Sequence, residues 1–141
     1  MKNVNQKSIL QKLGIEKLNA MQHKAMQVIG NGKNTQLLSP TGTGKTLAFL
    51  LPLVLKLIEA KGNDSQPLLK MLVLAPSREL AMQIEQVARS MGSGLKINVV
   101  FGGRPVAKDK DELKQDPDIV IGTPGRVADH FRRGTVNFNA V

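Results

Sequence analysis

Ser39-Pro40-Thr41-Gly42-Thr43-Gly44-Lys45-Thr46 is the stretch on which the reading of this chain turns. It follows Thr35 to Leu38, which reads as a short strand, and it opens onto a run that predicts a helix from Lys45 to about Ala60. Gly42 and Gly44 permit backbone dihedrals that turn successive N–H groups inward. A helix starting at Lys45 aims its positive end into the same hollow. Such a loop suits an anion with several oxygens. Lys45 supplies a point charge for the outer phosphates of a nucleotide, and Thr46 offers a hydroxyl to Mg²⁺. The pattern departs from G-x-x-x-x-G-K-[ST] only at Ser39, which stands where the first glycine would be. A connector without a ligand is the alternative, and Gly-Lys-Thr between a strand and a helix argues against it. The chain therefore reads as a nucleoside-triphosphate binder of a kind the loop alone does not specify.

Working outward from the loop, Ile9, Leu10, Leu13 and Ile15 give a short helical pattern that stops near Gly14. Ala25, Met26 and Ile29 suggest a second helix, ended by Gly30-Asn31-Gly32. On the other side Lys61-Gly62-Asn63-Asp64-Ser65 reads as a polar loop, and Leu68 to Ala75 as a strand buried on both faces. Pro76 stops that strand, and Arg78 to Met91 has helical spacing. Ile97 to Phe101 reads as a strand ending at Gly102-Gly103, and Val106 to Lys114 as a charged, exposed helix. Ile119 to Ile121 is a further strand and Pro124 to Arg132 a further helix. Strands alternating with helices imply βαβ crossovers, hence an α/β fold with a mainly parallel sheet and helices on both faces. Ligands of such sheets gather beyond the carboxyl ends of the strands, where each Gly- or Pro-containing segment falls.

Composition narrows the partner. The chain has 141 residues, enough for one domain, and 41% of them are hydrophobic, which argues against wholesale disorder. Twenty Lys and Arg against eleven Asp and Glu give +9, a surplus that favours a polyanion. A solvated basic surface would show the same surplus, and charge alone leaves both open. There is no Trp or Tyr, and the aromatic residues are Phe49, Phe101, Phe131 and Phe138, so base-stacking platforms are poorly supplied. Contact with a nucleic-acid backbone is the better fit. No cysteine occurs, which excludes disulfides and thiolate metal sites. Leu47 to Leu55 is interrupted by Pro52 and is too short to cross a bilayer, and Met1 to Gln6 lacks the apolar core of a signal peptide. No membrane role and a cytoplasmic location are the expectations.

Gly14-Ile15-Glu16-Lys17-Leu18-Asn19-Ala20-Met21-Gln22, Ser39 to Thr46, Ala75-Pro76-Ser77-Arg78-Glu79-Leu80-Ala81, Gly102-Gly103 and Thr123-Pro124-Gly125-Arg126 occur in that order. Together they resemble the first half of the DEAD-box RNA helicases of superfamily 2, from Gly14 to about Arg133. The resemblance implies a partial first RecA-like domain over 1–141, with an adenine-recognition Q-motif region in 1–30 and a P-loop core in 31–141. It implies ATP with Mg²⁺ as ligands. Gln22 would read the adenine edge, and Ser39, Pro40, Thr41, Gly42, Thr43, Gly44, Lys45 and Thr46 would hold the phosphates. Lys45 and Thr46 would serve catalysis, with Thr46 on the metal. Pro76, Ser77, Arg78, Gly103, Thr123, Pro124, Gly125 and Arg126 would contact the sugar–phosphate backbone of one RNA strand without reading sequence. The Q-motif region departs from the family at Leu18 and Ala20, where proline is usual, and at Ile15, where an aromatic is usual.

The residues of the rim have their own physical reading. Ser77 and Thr123 can each cap a helix at a strand end, Pro124 suits a first helical position, and Arg78 and Arg126 offer forked donors to phosphate. Glu79 is expected in an internal salt bridge, and His23 and His130 as exposed helix residues. No Asp-Glu-Ala-Asp occurs in the sequence, and Asp111-Glu112 lies in a charged helix rather than after an apolar strand. The family's metal-holding Asp and its second RecA-like domain are thus expected outside this chain. The expectation is a chain that binds nucleotide without turnover, and whose uncovered strand edges invite self-association. A non-catalytic P-loop RNA-binding module and a P-loop ATPase acting on DNA are the alternatives.

Overall fold

Asn5 opens the first helix by exchanging hydrogen bonds with Ser8: the Ser8 amide donates to Asn5 Oδ1 at 2.9 Å, and the Asn5 amide donates to Ser8 Oγ at 3.0 Å. A computed structural model describes residues 3–63 and 68–141. These fall into two units, one within residues 1–64 together with 90–93, the other within 65–89 together with 94–141.

In the first unit, α1 (Gln6–Lys12) buries Ile9 and Leu10 and ends at Leu13, ahead of Gly14. The same reciprocal cap recurs at Asn19 and Gln22, which start α2 (Ala20–Gly30). After the phosphate loop, α3 runs Lys45–Asn63 and packs on α2. It extends three residues past the predicted end: Lys61, Gly62 and Asn63 are helical, and Asp64 and Ser65 lie outside the described residues. Pro52 sits inside this helix, where proline generally costs about 3 kcal/mol. Burial of Leu47, Leu50, Leu51 and Val54 on the same helix offsets that, at roughly 1.5–3 kcal/mol for each fully buried side chain.

The predicted strand Thr35 to Leu38 does not form. These residues join no ladder, and Leu38 is 82% exposed. A four-residue run becomes a strand only when a neighbour takes up its N–H and C=O groups, and none of the described strands does so.

The second unit contains β1 (Met71–Leu74), α4 (Arg78–Ser90) up to Arg89, β2 (Ile97–Val100), α5 (Val106–Leu113), β3 (Ile119–Gly122) and α6 (Pro124–Arg133). The sheet order is β1-β3-β2 and both pairings are parallel, with Val73 and Val99 each opposite Ile121. On one face Val100 and Val120 pack with Leu69, Leu113 of α5 and Val127 of α6. The other face presents Met71, Val73, Ile97, Val99, Ile119 and Ile121, all buried. Two expectations need correction here. Leu74 is 54% exposed, so β1 is not buried on both faces along its length. α5 is not simply an exposed helix either, because Leu113 and Asp109 are buried. At the end of β3, Gly122 is required by space: a Cβ there would lie 2.7 Å from the Val100 carbonyl oxygen and from Val127.

Because all three strands run the same way, their carboxyl ends share one rim. Thr123 follows its strand directly, and Pro76–Ser77 and Gly102–Gly103 follow theirs after one residue, Ala75 and Phe101.

Candidate phosphate-binding loop and nucleic-acid rim

The loop before α3 is shaped by its own side chains and by the start of α2. Gly42 and Gly44 take φ values of +82° and +85°. Thr43 Oγ1 donates to the Pro40 carbonyl at 2.7 Å and accepts from Ser39 Oγ at 2.5 Å. Asn19 Nδ2 donates to the Thr43 carbonyl at 3.0 Å, and Gln22 Nε2 donates to the Gly44 carbonyl at 3.3 Å. The two residues that cap α2 therefore also clamp the loop. A Cβ on Gly44 would collide with the Gln22 amide.

Lys45, at the first position of α3, donates from Nζ to the Ser39 carbonyl at 2.5 Å, so its ammonium spans the hollow. The first turn of α3 carries no acidic side chain, which leaves its positive end free of a competing charge. Left-handed glycines, an uncompensated helix start and a lysine held over both fit a polyphosphate. For a metal the fit is narrower. Thr46 brings one hydroxyl, and among the described residues no group of three His, Cys, Asp or Glu stands together.

Gln22 is buried, with Oε1 accepting from the Asn19 amide at 3.0 Å and Nε2 directed to Gly44. It is both a helix-opening residue and part of the loop's frame. A side-chain amide has two N–H groups and two acceptor lone pairs, so one of each remains for an adenine edge.

On the rim, Ser77 caps α4 as expected, accepting from the Leu80 amide at 3.2 Å. Arg78 is exposed, and Glu79 Oε1 lies 4.0 Å from its Nε, so the internal partner of Glu79 is its neighbour. The Arg78 guanidinium lies 5.8 Å from the centre of the Phe101 ring and beside Gly103. Arg104 covers the same ring at 5.2 Å. Thr123 occupies the N-cap of α6 and Pro124 its first position, but no side-chain hydrogen bond is made from Thr123. Its position is that of a cap without the bond, and the first N–H groups of α6 are left for another acceptor. Gly125 has nothing within 4 Å of where a Cβ would sit.

Arg126 does not offer its fork outward. Its side chain is 12% exposed; Nη1 donates to Asp109 Oδ2 at 2.9 Å and Nη2 to the Arg104 carbonyl at 2.9 Å. His130 is likewise buried rather than exposed, with Nε2 3.0 Å from the same Asp109 oxygen. His23 is exposed as expected. Asp109 and His130 are the residues that sequence reasoning missed. Arg126 and His130 stand four apart, which places both on one face of α6; a partner on that face was the available signal.

From Asn19 to Val141 the sequence matches the DEAD/DEAH box helicase family, and the chain belongs to it. It is 40% identical over 131 residues to the DEAD-box ATP-dependent RNA helicase 9, mitochondrial, of Arabidopsis thaliana, covering 91% of this chain and 21% of that protein. Its fold matches the crystal structure of a DEAD box protein from Methanococcus jannaschii with TM-score 0.83 and 31% identity, over 100% of this chain and 37% of that one. A hypothetical ATP-dependent RNA helicase from Sulfolobus tokodaii matches with TM-score 0.80 and 28% identity, over 96% of this chain and 39% of that one. The chain thus spans about a fifth of the curated relative and under two fifths of these solved neighbours. The α/β, RecA-like expectation agrees with these likenesses.

Among the described residues no helix is long and apolar enough to cross a membrane.

Proposed function

We propose that this chain is the ATP-binding part of an ATP-dependent RNA helicase, holding the nucleotide on the loop 39–46 and one strand of RNA on the rim. The observation that carries the reading is the clamp of Asn19 and Gln22 on Thr43 and Gly44. It joins the side expected to read the base to the loop expected to hold the phosphates, with Lys45 already drawn over the hollow.

In this proposal Lys45 exchanges the Ser39 carbonyl for phosphate oxygens, a stronger charge-assisted bond. Gly42 and Gly44 present backbone N–H groups, and Gln22 uses its remaining donor and acceptor for adenine. Mg²⁺ would be held by Thr46 together with phosphate oxygens, and when bound it supplies charge neutralisation at the outer phosphates. Among the described residues no group of three His, Cys, Asp or Glu stands together to complete a metal site, and the acid that would position a water is read as lying outside this chain. The chain by itself accordingly binds nucleotide without turning it over. A second RecA-like domain of a longer protein would complete the reaction, and duplex unwinding or remodelling belongs to that whole.

Titration with a fluorescent ATP analogue tests this. Binding should appear in the wild type and weaken about tenfold or more in Lys45→Ala, the loss of one charge-assisted bond. Undiminished binding in Lys45→Ala would remove the loop from the proposal. RNA-stimulated hydrolysis by this chain would overturn the claim that it lacks turnover.

A further inference from the structure

Asp109 is fully buried in a chain of net charge +9, and its carboxylate is shared by three basic side chains from two places. Oδ2 receives Arg126 Nη1 and faces His130 Nε2, both on α6. Oδ1 faces Nε of Arg104, in the turn after β2, at 3.7 Å, which is beyond hydrogen-bonding range. Arg104 is held as well by Glu112 of α5 at 3.1 Å. Arg126 completes the arrangement by donating Nη2 to the backbone carbonyl of Arg104. The residue before Arg104 is Gly103, and the three before Arg126 are Thr123, Pro124 and Gly125. Two rim segments far apart in sequence are thereby bonded to each other through one guanidinium, and that guanidinium is aimed by Asp109.

A buried carboxylate among guanidinium groups is weak as a source of stability, because desolvation offsets much of the attraction. What it does supply is direction: a planar fork held at two acceptors has one orientation. We infer that Asp109 is a positioning residue for RNA-backbone binding, fixing the Gly103 turn and the Thr123-Pro124-Gly125 helix start at the spacing of one strand. The inference rests on the rim being an RNA-backbone site.

The sign of the effect separates this from plain electrostatics. Asp109→Asn removes a negative charge close to the rim, so charge alone calls for tighter RNA binding. Positioning calls for weaker binding. The experiment is fluorescence anisotropy with a labelled single-stranded oligouridine, on the wild-type chain, Asp109→Asn, and Asp111→Asn as a control on the exposed side of the same helix (Asp111 is 79% exposed). The expected result is about tenfold weaker binding for a folded Asp109→Asn and unchanged or slightly tighter binding for Asp111→Asn. Equal or tighter binding by folded Asp109→Asn overturns the inference.

Should Asp109→Asn not fold, Arg126→Lys decides. It keeps the charge beside Asp109 but cannot bond the carboxylate and the Arg104 carbonyl together. A loss of about fivefold or more supports positioning, and no loss overturns it. If the wild-type chain binds no oligouridine, the RNA reading of the rim fails on its own. Amide exchange at Gly103 and Gly125 in the RNA-free chain then judges Asp109: faster exchange in whichever of these two variants folds, relative to Asp111→Asn, supports a holding role. Equal rates overturn it.

Discussion

Gly44 answers to two constraints at once, a φ of +85° and the Gln22 amide standing where a Cβ would sit. Gly42 answers to one, since nothing lies within 4 Å of where a Cβ would sit. Gly44→Ala is therefore expected to lower stability by more than the roughly 1–2 kcal/mol of a left-handed alanine, and Gly42→Ala by about that amount, as read by thermal melting. Gln22→Ala removes both a reciprocal cap and the tether to Gly44; a cap alone is worth about 1 kcal/mol, and nucleotide affinity should fall with it. Asp129 behaves differently. The hydrogen bond from Arg133 holds its carboxyl below the ordinary carboxylate range. A depressed folded value means that its contribution is present above the unfolded pKa, about 3.9, and is lost as pH falls through the folded one. A carboxyl NMR titration should give an Asp129 midpoint below that of Arg133→Ala. The loop residues were legible in the sequence because their chemistry is local: Gly, Lys and Thr act where they stand. Asp109 was not, since Lys108-Asp109-Lys110-Asp111-Glu112 has the composition of a solvated face, and only the approach of Arg126 and His130 makes one member an interior residue.

Helices and strands divided along the same line. Helices carry local signals, such as Ser77 and Pro124 at the starts and Gly14 and Gly30 near the ends, and the six predicted helices appear within a few residues of where sequence places them. Strands depend on neighbours. Met71–Leu74, Ile97–Val100 and Ile119–Gly122 find one another, whereas Thr35 to Leu38, with two apolar residues of four, joins no ladder. The start of α6 illustrates an element kept below its own optimum, because Thr123 makes no capping bond. Thr123→Asp should cap the helix and complement its dipole, stabilising the chain by about 0.5–1 kcal/mol. On the proposed function the same change should weaken RNA binding by placing a carboxylate against phosphate. Melting and anisotropy would thus move in opposite directions; a joint increase would speak against an RNA backbone at that helix start.

At the scale of the molecule, the second unit leaves an edge. Among the described residues no strand pairs with the outer side of β1, and Leu74, Phe131 and Val141, all more than half exposed, line one hollow with Phe138. An unpaired edge beside exposed apolar side chains is a template for association. Sedimentation velocity should show concentration-dependent association of the chain that Leu74→Lys reduces; a monomer at all concentrations would count against it.

Gly122 and Gly125, three residues apart, would leave opposite marks in a library of all single substitutions. At Gly122 the Val100 carbonyl and Val127 bar any side chain, so losses there report folding alone. At Gly125 the space is open and the backbone ordinary, so alanine should fold at least as well. Any variant at Gly125 that survives a selection for folding and fails one for RNA retention measures, without a structure of the complex, how closely the ligand approaches that helix.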